Sequence, residues 1–136
     1  MPRKLLPLFF LLLNSNVLAF EFPIQVTEYI DDVKIDAYIN QKDIAEDTQW
    51  MAFETPPPLS IQQALAAVQD FIRADNRFSD ATLISIELKR IPHHESYWHY
   101  VVKARTKLDN EYLPHFFVVL MDGKVISAIK EPDSIK

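Results

Sequence analysis

The histidines are the side chains of this sequence whose reactive chemistry is easiest to place. His93 and His94 are adjacent in a stretch with turn character, and His99 follows in a run that alternates like a β-strand. A zinc site requires three or four converging ligands, whereas adjacent loop side chains point in divergent directions. We therefore interpret these histidines as solvated side chains and expect no cofactor. Metal handling through His93, His94 and His99 is the alternative.

Nucleophilic and phosphate-binding chemistry find little support in the residue types present. The chain has no cysteine and one glycine, Gly123, so it has neither a thiol nucleophile nor a glycine-rich phosphate loop. Ser60 is better explained as a helix cap. Asp31 and Asp32 are better explained as a turn than as a catalytic carboxylate pair. We predict a protein that is not an enzyme.

A mixed basic and apolar surface is a stronger candidate for function. It is expected on the sheet face opposite the helix and comprises Lys89, Tyr97, His99, Lys103, Arg105, Lys107, Phe117, Val119 and Ile126. Monomers seldom leave such a face open, so it is either covered or used for binding. The acidic residues 20–55 of the same chain, a second copy or another protein are the three expected covers.

One helix must position these strands. The prolines at 56–58 end the preceding segment. Ser60 and Gln63 then have capping-box spacing. An apolar stripe follows at helical spacing, formed by Ala64, Leu65, Val68, Phe71 and Ile72. The pattern predicts a helix over residues 60–75.

Two antiparallel hairpins are predicted after the helix. Apolar residues alternate over residues 84–88 and 98–104, and pairing Leu88 with Tyr100 places both apolar rows on one face. Residues 115–121 and 124–130 flank Asp122 and Gly123, which predicts a two-residue type I′ turn. We expect the face with Phe116, Val118, Leu120, Val125 and Ile129 to meet the helix.

The N-terminal segment is predicted to add one or two strands over residues 24–39. The pattern of residues 41–55 is compatible with a loop, a short helix or another edge strand. The predicted fold is α+β, with one amphipathic helix packed on an antiparallel sheet of about four strands. The expected organisation is a signal peptide at 1–19 and an acidic segment at 20–59. Residues 60–136 complete a single domain with that segment.

From Ser60 onward the chain resembles the PepSY-type domain and, more broadly, the cystatin-like α+β architecture. The resemblance is carried by the alanine-bearing helix, the strands at 84–88 and 98–102, and the closing residues 121–126. It implies a helix followed by an antiparallel meander, and modulation of a peptidase as a possible activity.

The N-terminus is typical of an exported protein. Arg3 and Lys4 precede the apolar residues 5–13, and residues of small or modest size follow up to Ala19. Nine apolar residues are too few to span a bilayer, so we expect no stable membrane insertion after cleavage. The absence of cysteine favours a bacterial periplasm.

The balance of acidic and basic residues limits the classes of partner that the chain is expected to bind. The chain has 14 basic and 19 acidic residues, and residues 20–59 hold nine acids but only two lysines. This balance argues against nucleic acid. We predict a module that binds a protein or peptide. A homodimer is a further alternative. The alternative is a small-molecule carrier or small enzyme whose pocket, lined by Trp98, Tyr100 and Phe116, lies between helix and sheet.

Overall fold

The computed structural model describes residues 22–130, so the predicted signal peptide at 1–19 lies outside the described residues. One α-helix, α1, spans Ile61–Arg73. The strands, in chain order, are β1 (Ile24–Ile30), β2 (Val33–Ile39), β3 (Thr82–Ile91), β4 (His94–Leu108), β5 (Glu111–Leu120), β6 (Val125–Ser127) and β7 (Ile129–Lys130).

The strands form two antiparallel sheets. Strands β3, β4, β5 and β6 pair in that order, and β1, β2 and β7 form a smaller sheet. Helix α1 packs on one face of the larger sheet, and the β1–β2 hairpin packs on the other. The α+β prediction, with its N-terminal strands, is confirmed.

Helix α1 begins where its capping chemistry predicts. The Ser60 hydroxyl accepts a hydrogen bond from the Gln63 amide at 3.1 Å, and the Gln63 side chain accepts one from the Ser60 amide at 2.9 Å. These two bonds satisfy amides that a helix start otherwise leaves unpaired. The helix ends two residues before the predicted limit, and Asp75 then caps the short 3-10 helix Asn76–Phe78.

The register of β3 with β4 is the one predicted from alternation. Ile86 lies opposite Val102 and Leu88 opposite Tyr100, and all four side chains pack on the helix side. The Tyr100 hydroxyl donates a hydrogen bond to the Leu59 carbonyl at 2.6 Å, which ties the start of α1 to the sheet.

The prediction of which face of β5 meets the helix was wrong. Phe117 and Val119 lie opposite Val102 and Tyr100, so they share the helix-facing side. Phe116, Val118 and Leu120 pack under the β1–β2 hairpin instead. Both faces of β5 are apolar because both are buried, and alternation within β5 therefore cannot distinguish them.

The predicted type I′ turn between β5 and β6 was also wrong. The Gly123 amide bonds to the Leu120 carbonyl at 2.9 Å, and Gly123 alone in this turn has positive φ, at 93°. The loop therefore has three residues and ends at a glycine in a left-handed conformation. The extra residue shifts the register, so that Val125 lies opposite Val119 and Ile126 opposite Val118.

The segment between β2 and α1 contains no strand. Two short 3-10 helices, Gln41–Asp43 and Glu46–Thr48, are followed by an irregular stretch up to the helix. The predicted turn at Asp31 and Asp32 is present, and both residues have positive φ. Paired positive φ values match the strand twist in a two-residue hairpin, which explains how β2 returns directly along β1.

Candidate functional site

The basic face predicted as an interaction surface is covered by the β1–β2 hairpin. Glu28 points inward from β1, and its carboxylate lies 2.7 Å from the Lys89 ammonium and 3.3 Å from that of Lys103. Burial acts to raise the pKa of Glu28, but the hydrogen bonds and charges of the two lysines outweigh it and lower that pKa. Two lysines of the basic face are therefore paired with a carboxylate of the acidic segment within one chain.

The rest of that surface is divided by the fold. Arg105 makes a bidentate ion pair with Asp31, with N–O distances of 2.6 and 3.0 Å. Tyr97 accepts a hydrogen bond from Gln49, and Ile126 packs against the hairpin-side core. Lys107 is exposed near the end of β4. Because Phe117 and Val119 lie on the opposite face, the predicted set does not form one surface.

The expectation that His99 is a solvated side chain was wrong, because His99 is buried between the two sheets. It is 1% exposed, and neither ring nitrogen has a hydrogen-bond partner within the part of the chain that the structure describes. Burial, together with the nearby Lys89 charge, lowers the pKa of His99 from 6.5 to about 4. The imidazole is therefore a neutral core group at ordinary pH.

The structure does not gather the histidines into a metal site. His93 and His94 lie at the turn between β3 and β4, whereas His99 is enclosed under the hairpin. Within residues 22–130, no group of three or more metal-ligating side chains is close enough to hold an ion.

The open edge of β3 is a candidate site that the sequence patterns did not reveal. Among the described residues β3 pairs with β4 alone, so the backbone groups on its other edge have no strand partner. Leu83 and Ile84 near its start are exposed to 51% and 39%. An unpaired edge with apolar side chains is a template for another strand.

A groove of about 620 Å³ lies beside this edge, between the flank of α1 and the larger sheet. Its apolar lining includes Leu65, Val68 and Ile72 of the helix, together with Leu83 of β3. Among the described residues that line the groove, Arg73 is the one charged side chain. Trp98, Tyr100 and Phe116, which the small-molecule alternative placed around a pocket between helix and sheet, do not line this groove.

An aromatic cluster lies at the other end of the β3 edge. We use this name for Trp50, Phe53, Arg90 and Trp98. The two tryptophan rings meet edge to face with centroids 5.1 Å apart, and the Arg90 guanidinium lies 5.1 Å from the centre of the Trp98 ring. Phe53 is fully exposed beside them, and the four side chains border a cleft of about 350 Å³.

Two backbone-directed hydrogen bonds hold the loop that carries this cluster. The Trp50 amide bonds to the Ser96 carbonyl at 3.1 Å, and the Trp50 indole N–H bonds to the Thr55 carbonyl at 2.7 Å. The loop therefore presents Phe53 from an anchored base. Residues 20–55 were one of the three expected covers of the basic face, but within that segment Trp50 packs on Trp98, whose side chain lies on the helix side.

The sequence contains a local signal for the β3 edge and another for the aromatic cluster. Leu83 and Ile84 break the strict alternation of β3, and Phe53 is an aromatic residue in a segment without strand or helix pattern. Neither observation identifies a site until the strand order shows which edge is open.

No helix in residues 22–130 has the length and apolar character needed to span a membrane. Comparison with family models, curated proteins and solved structures returned no match to this chain.

Proposed function

We propose that this chain is an exported, non-enzymatic module that binds an extended segment of another protein at the open edge of β3. The observation that carries the proposal is the juxtaposition of that unpaired edge with the apolar groove beside α1. Addition of a strand to a sheet edge is a recurrent mode of peptide recognition. The backbone supplies the hydrogen bonds, and pockets beside the edge select alternate side chains.

Energetic considerations support the same location. Leu83 is half exposed at the groove, and Phe53 is fully exposed at the aromatic cluster. Covering such side chains releases about 25 cal/mol per Å² of apolar surface. Aromatic and arginine side chains such as those of the cluster also dominate binding energy at protein interfaces.

Export to a bacterial periplasm is part of this proposal and rests on the N-terminal residues 1–19. A peptidase is one class of partner, in line with the resemblance to PepSY-type domains. The intramolecular ion pairs of Glu28 and Asp31 favour the edge over the basic face as the binding surface.

A small-molecule carrier is the second candidate. The groove has a volume in the range of ligand pockets, and Arg73 lies among otherwise apolar and uncharged polar groups. An amphiphile with one anionic group suits that lining. Binding of a dansyl-labelled fatty acid to the chain would favour the carrier, provided that Leu65→Lys abolishes this binding.

The proposed function is tested by photo-crosslinking in cells that express the full chain. A benzoylphenylalanine replaces Leu83 in one strain and Leu108 in a control strain, since both leucines are similarly exposed and lie on different strands. We expect a crosslinked partner from position 83 only. The crosslinked segment, made as a peptide, should then protect β3 amides from hydrogen exchange.

Two results would overturn the proposal. One is equal crosslinking from positions 83 and 108. The other is a segment that binds the purified protein while the β3 amides exchange as fast as before.

A further inference from the structure

We propose that the segment bound at the β3 edge carries two apolar anchor side chains six positions apart, one for the groove and one for the aromatic cluster. This inference rests on the proposed function and specifies the class of partner. It follows from the register of the sheet, the position of a bulge in β3, and the placement of the two apolar sites on one side of the sheet.

The pairing of β4 with β3 shows how many residues of a strand without a bulge run alongside a given length of β3. Ala104 lies opposite Leu83 and Trp98 opposite Arg90. The same length of β3 is therefore covered by six steps of a regular strand, about 20 Å. A strand on the open edge of β3 meets the same two positions from the other side.

A bulge in β3 places both ends of this length on one face. Leu83 pairs with Ala104 and Ser85 with Lys103, so Ile84 is an extra residue without a partner of its own. Leu83 and Arg90 are seven positions apart, yet the bulge puts both on the helix-facing side. Anchors on a partner strand without a bulge must then be separated by an even number of positions.

The floor between the two sites is apolar on the same side. Ile86 and Leu88 are half-buried there and belong to the same core cluster as Leu65 and Trp98. On the opposite side of β3, Glu87 and Lys89 are already in ion pairs with Lys103 and Glu28. Residues of the partner that face that side therefore meet groups whose charges are compensated.

An extended polypeptide fits this combination better than the other occupants. A fatty acid can fill the groove, but it provides no hydrogen bonds for the unpaired edge that lies between the groove and the cluster. Arg73 at the groove favours an acidic side chain or a terminal carboxylate beside the first anchor, because a nearby anion stabilises a guanidinium.

The test uses two synthetic peptides of identical composition. Each has one leucine and one tryptophan as anchors, an aspartate beside the leucine, and threonine or serine elsewhere. In the first peptide the anchors are six positions apart, and in the second they are five apart. Binding to the full chain is measured by fluorescence anisotropy, and by the NMR shifts of the β3 amides and the Trp98 indole.

We expect the six-spaced peptide to bind at least about tenfold more tightly than the five-spaced one, which corresponds to about 1.4 kcal/mol. Leu83→Lys and Phe53→Ser should each remove most of that difference. The matched controls Leu108→Lys and Phe22→Ser, at exposed positions outside the groove and the cluster, should retain it.

Equal affinities, or no binding of either peptide at millimolar concentration, would overturn the two-anchor inference. The proposed function would survive that result if the crosslinked natural segment still protected the β3 amides. A concentration-dependent dimer that Leu83→Lys abolishes would instead place a second copy at this edge and contradict the inference.

Discussion

The Glu28 carboxylate accepts a hydrogen bond from the Lys89 ammonium at 2.7 Å, across the layer between the two sheets. Glu28 belongs to the acidic N-terminal hairpin and Lys89 to the basic face of the larger sheet. The other inward residues of β1 make apolar contacts with the larger sheet. At Glu28 ion pairs with Lys89 and Lys103 take the place of such a contact. The hairpin is therefore held by charge as well as by burial.

Glu28→Ala should destabilise the fold by about 2 kcal/mol. Removing one member of a buried ion pair costs about 3–5 kcal/mol because the other charge stays behind. Here the cost is lower, since Lys89 is 40% exposed and keeps Glu87 as a neighbour at 3.4 Å. Urea unfolding measures the loss. Glu46→Ala, at an exposed carboxylate, is the control, and equal effects of the two changes would contradict the role of the pair.

His99 should make the protein less stable as the pH falls from 6.5 towards 4. The pKa of His99 is lowered from 6.5 to about 4 in the fold by burial and by Lys89. Between these values the unfolded chain binds the proton and the folded chain does not, so acid favours unfolding. The shift corresponds to a loss of about 3 kcal/mol over this range.

His99→Phe tests this origin of the pH dependence. The change replaces the buried imidazole, whose nitrogens have no hydrogen-bond partner among the described residues, by an apolar ring, so we expect equal or greater stability at pH 7.5. The slope between pH 6.5 and 4 should decrease and leave the contributions of His115, whose pKa is also lowered by burial, and of Glu28, whose pKa is lowered by its lysine partners. His94→Phe is the control, and an unchanged slope in His99→Phe would refute the assignment.

Ser60→Ala should lower the free energy of unfolding by about 1 kcal/mol, because the Gln63 amide loses its capping hydrogen bond. Ser60→Asp keeps a side-chain acceptor at this position and should retain most of the stability. Thermal unfolding of the two variants separates capping from other effects of the substitution. Equal destabilisation by both changes would argue against the cap.

Phe53→Ser should leave stability within about 0.5 kcal/mol of the original, because Phe53 is fully exposed. Phe116→Ala, in the core between the sheets, should cost about 3–5 kcal/mol. A Phe53→Ser variant that folds normally but loses crosslinking from position 83 would assign Phe53 to binding. A large loss of stability in Phe53→Ser would show that the aromatic cluster supports the fold.

Much of the local structure follows from the residues themselves. Ser60 and Gln63 define the start of α1 by their spacing, because the capping bonds join neighbours in sequence. The pairing of Leu88 with Tyr100 follows from alternation, since β3 has one clearly more apolar row there. The acidic hairpin turn at Asp31 and Asp32 is likewise a matter of adjacent residues.

Only the tertiary structure determines which face of a strand packs against the helix and which packs against the β1–β2 hairpin. Phe116 and Phe117 are equally apolar and equally buried, so the pairing of β5 with β4 determines which one meets the helix. The same holds for the candidate site. Leu83 and Phe53 are far apart in sequence, and the unpaired edge of β3 connects their sites because strand order depends on packing between distant segments.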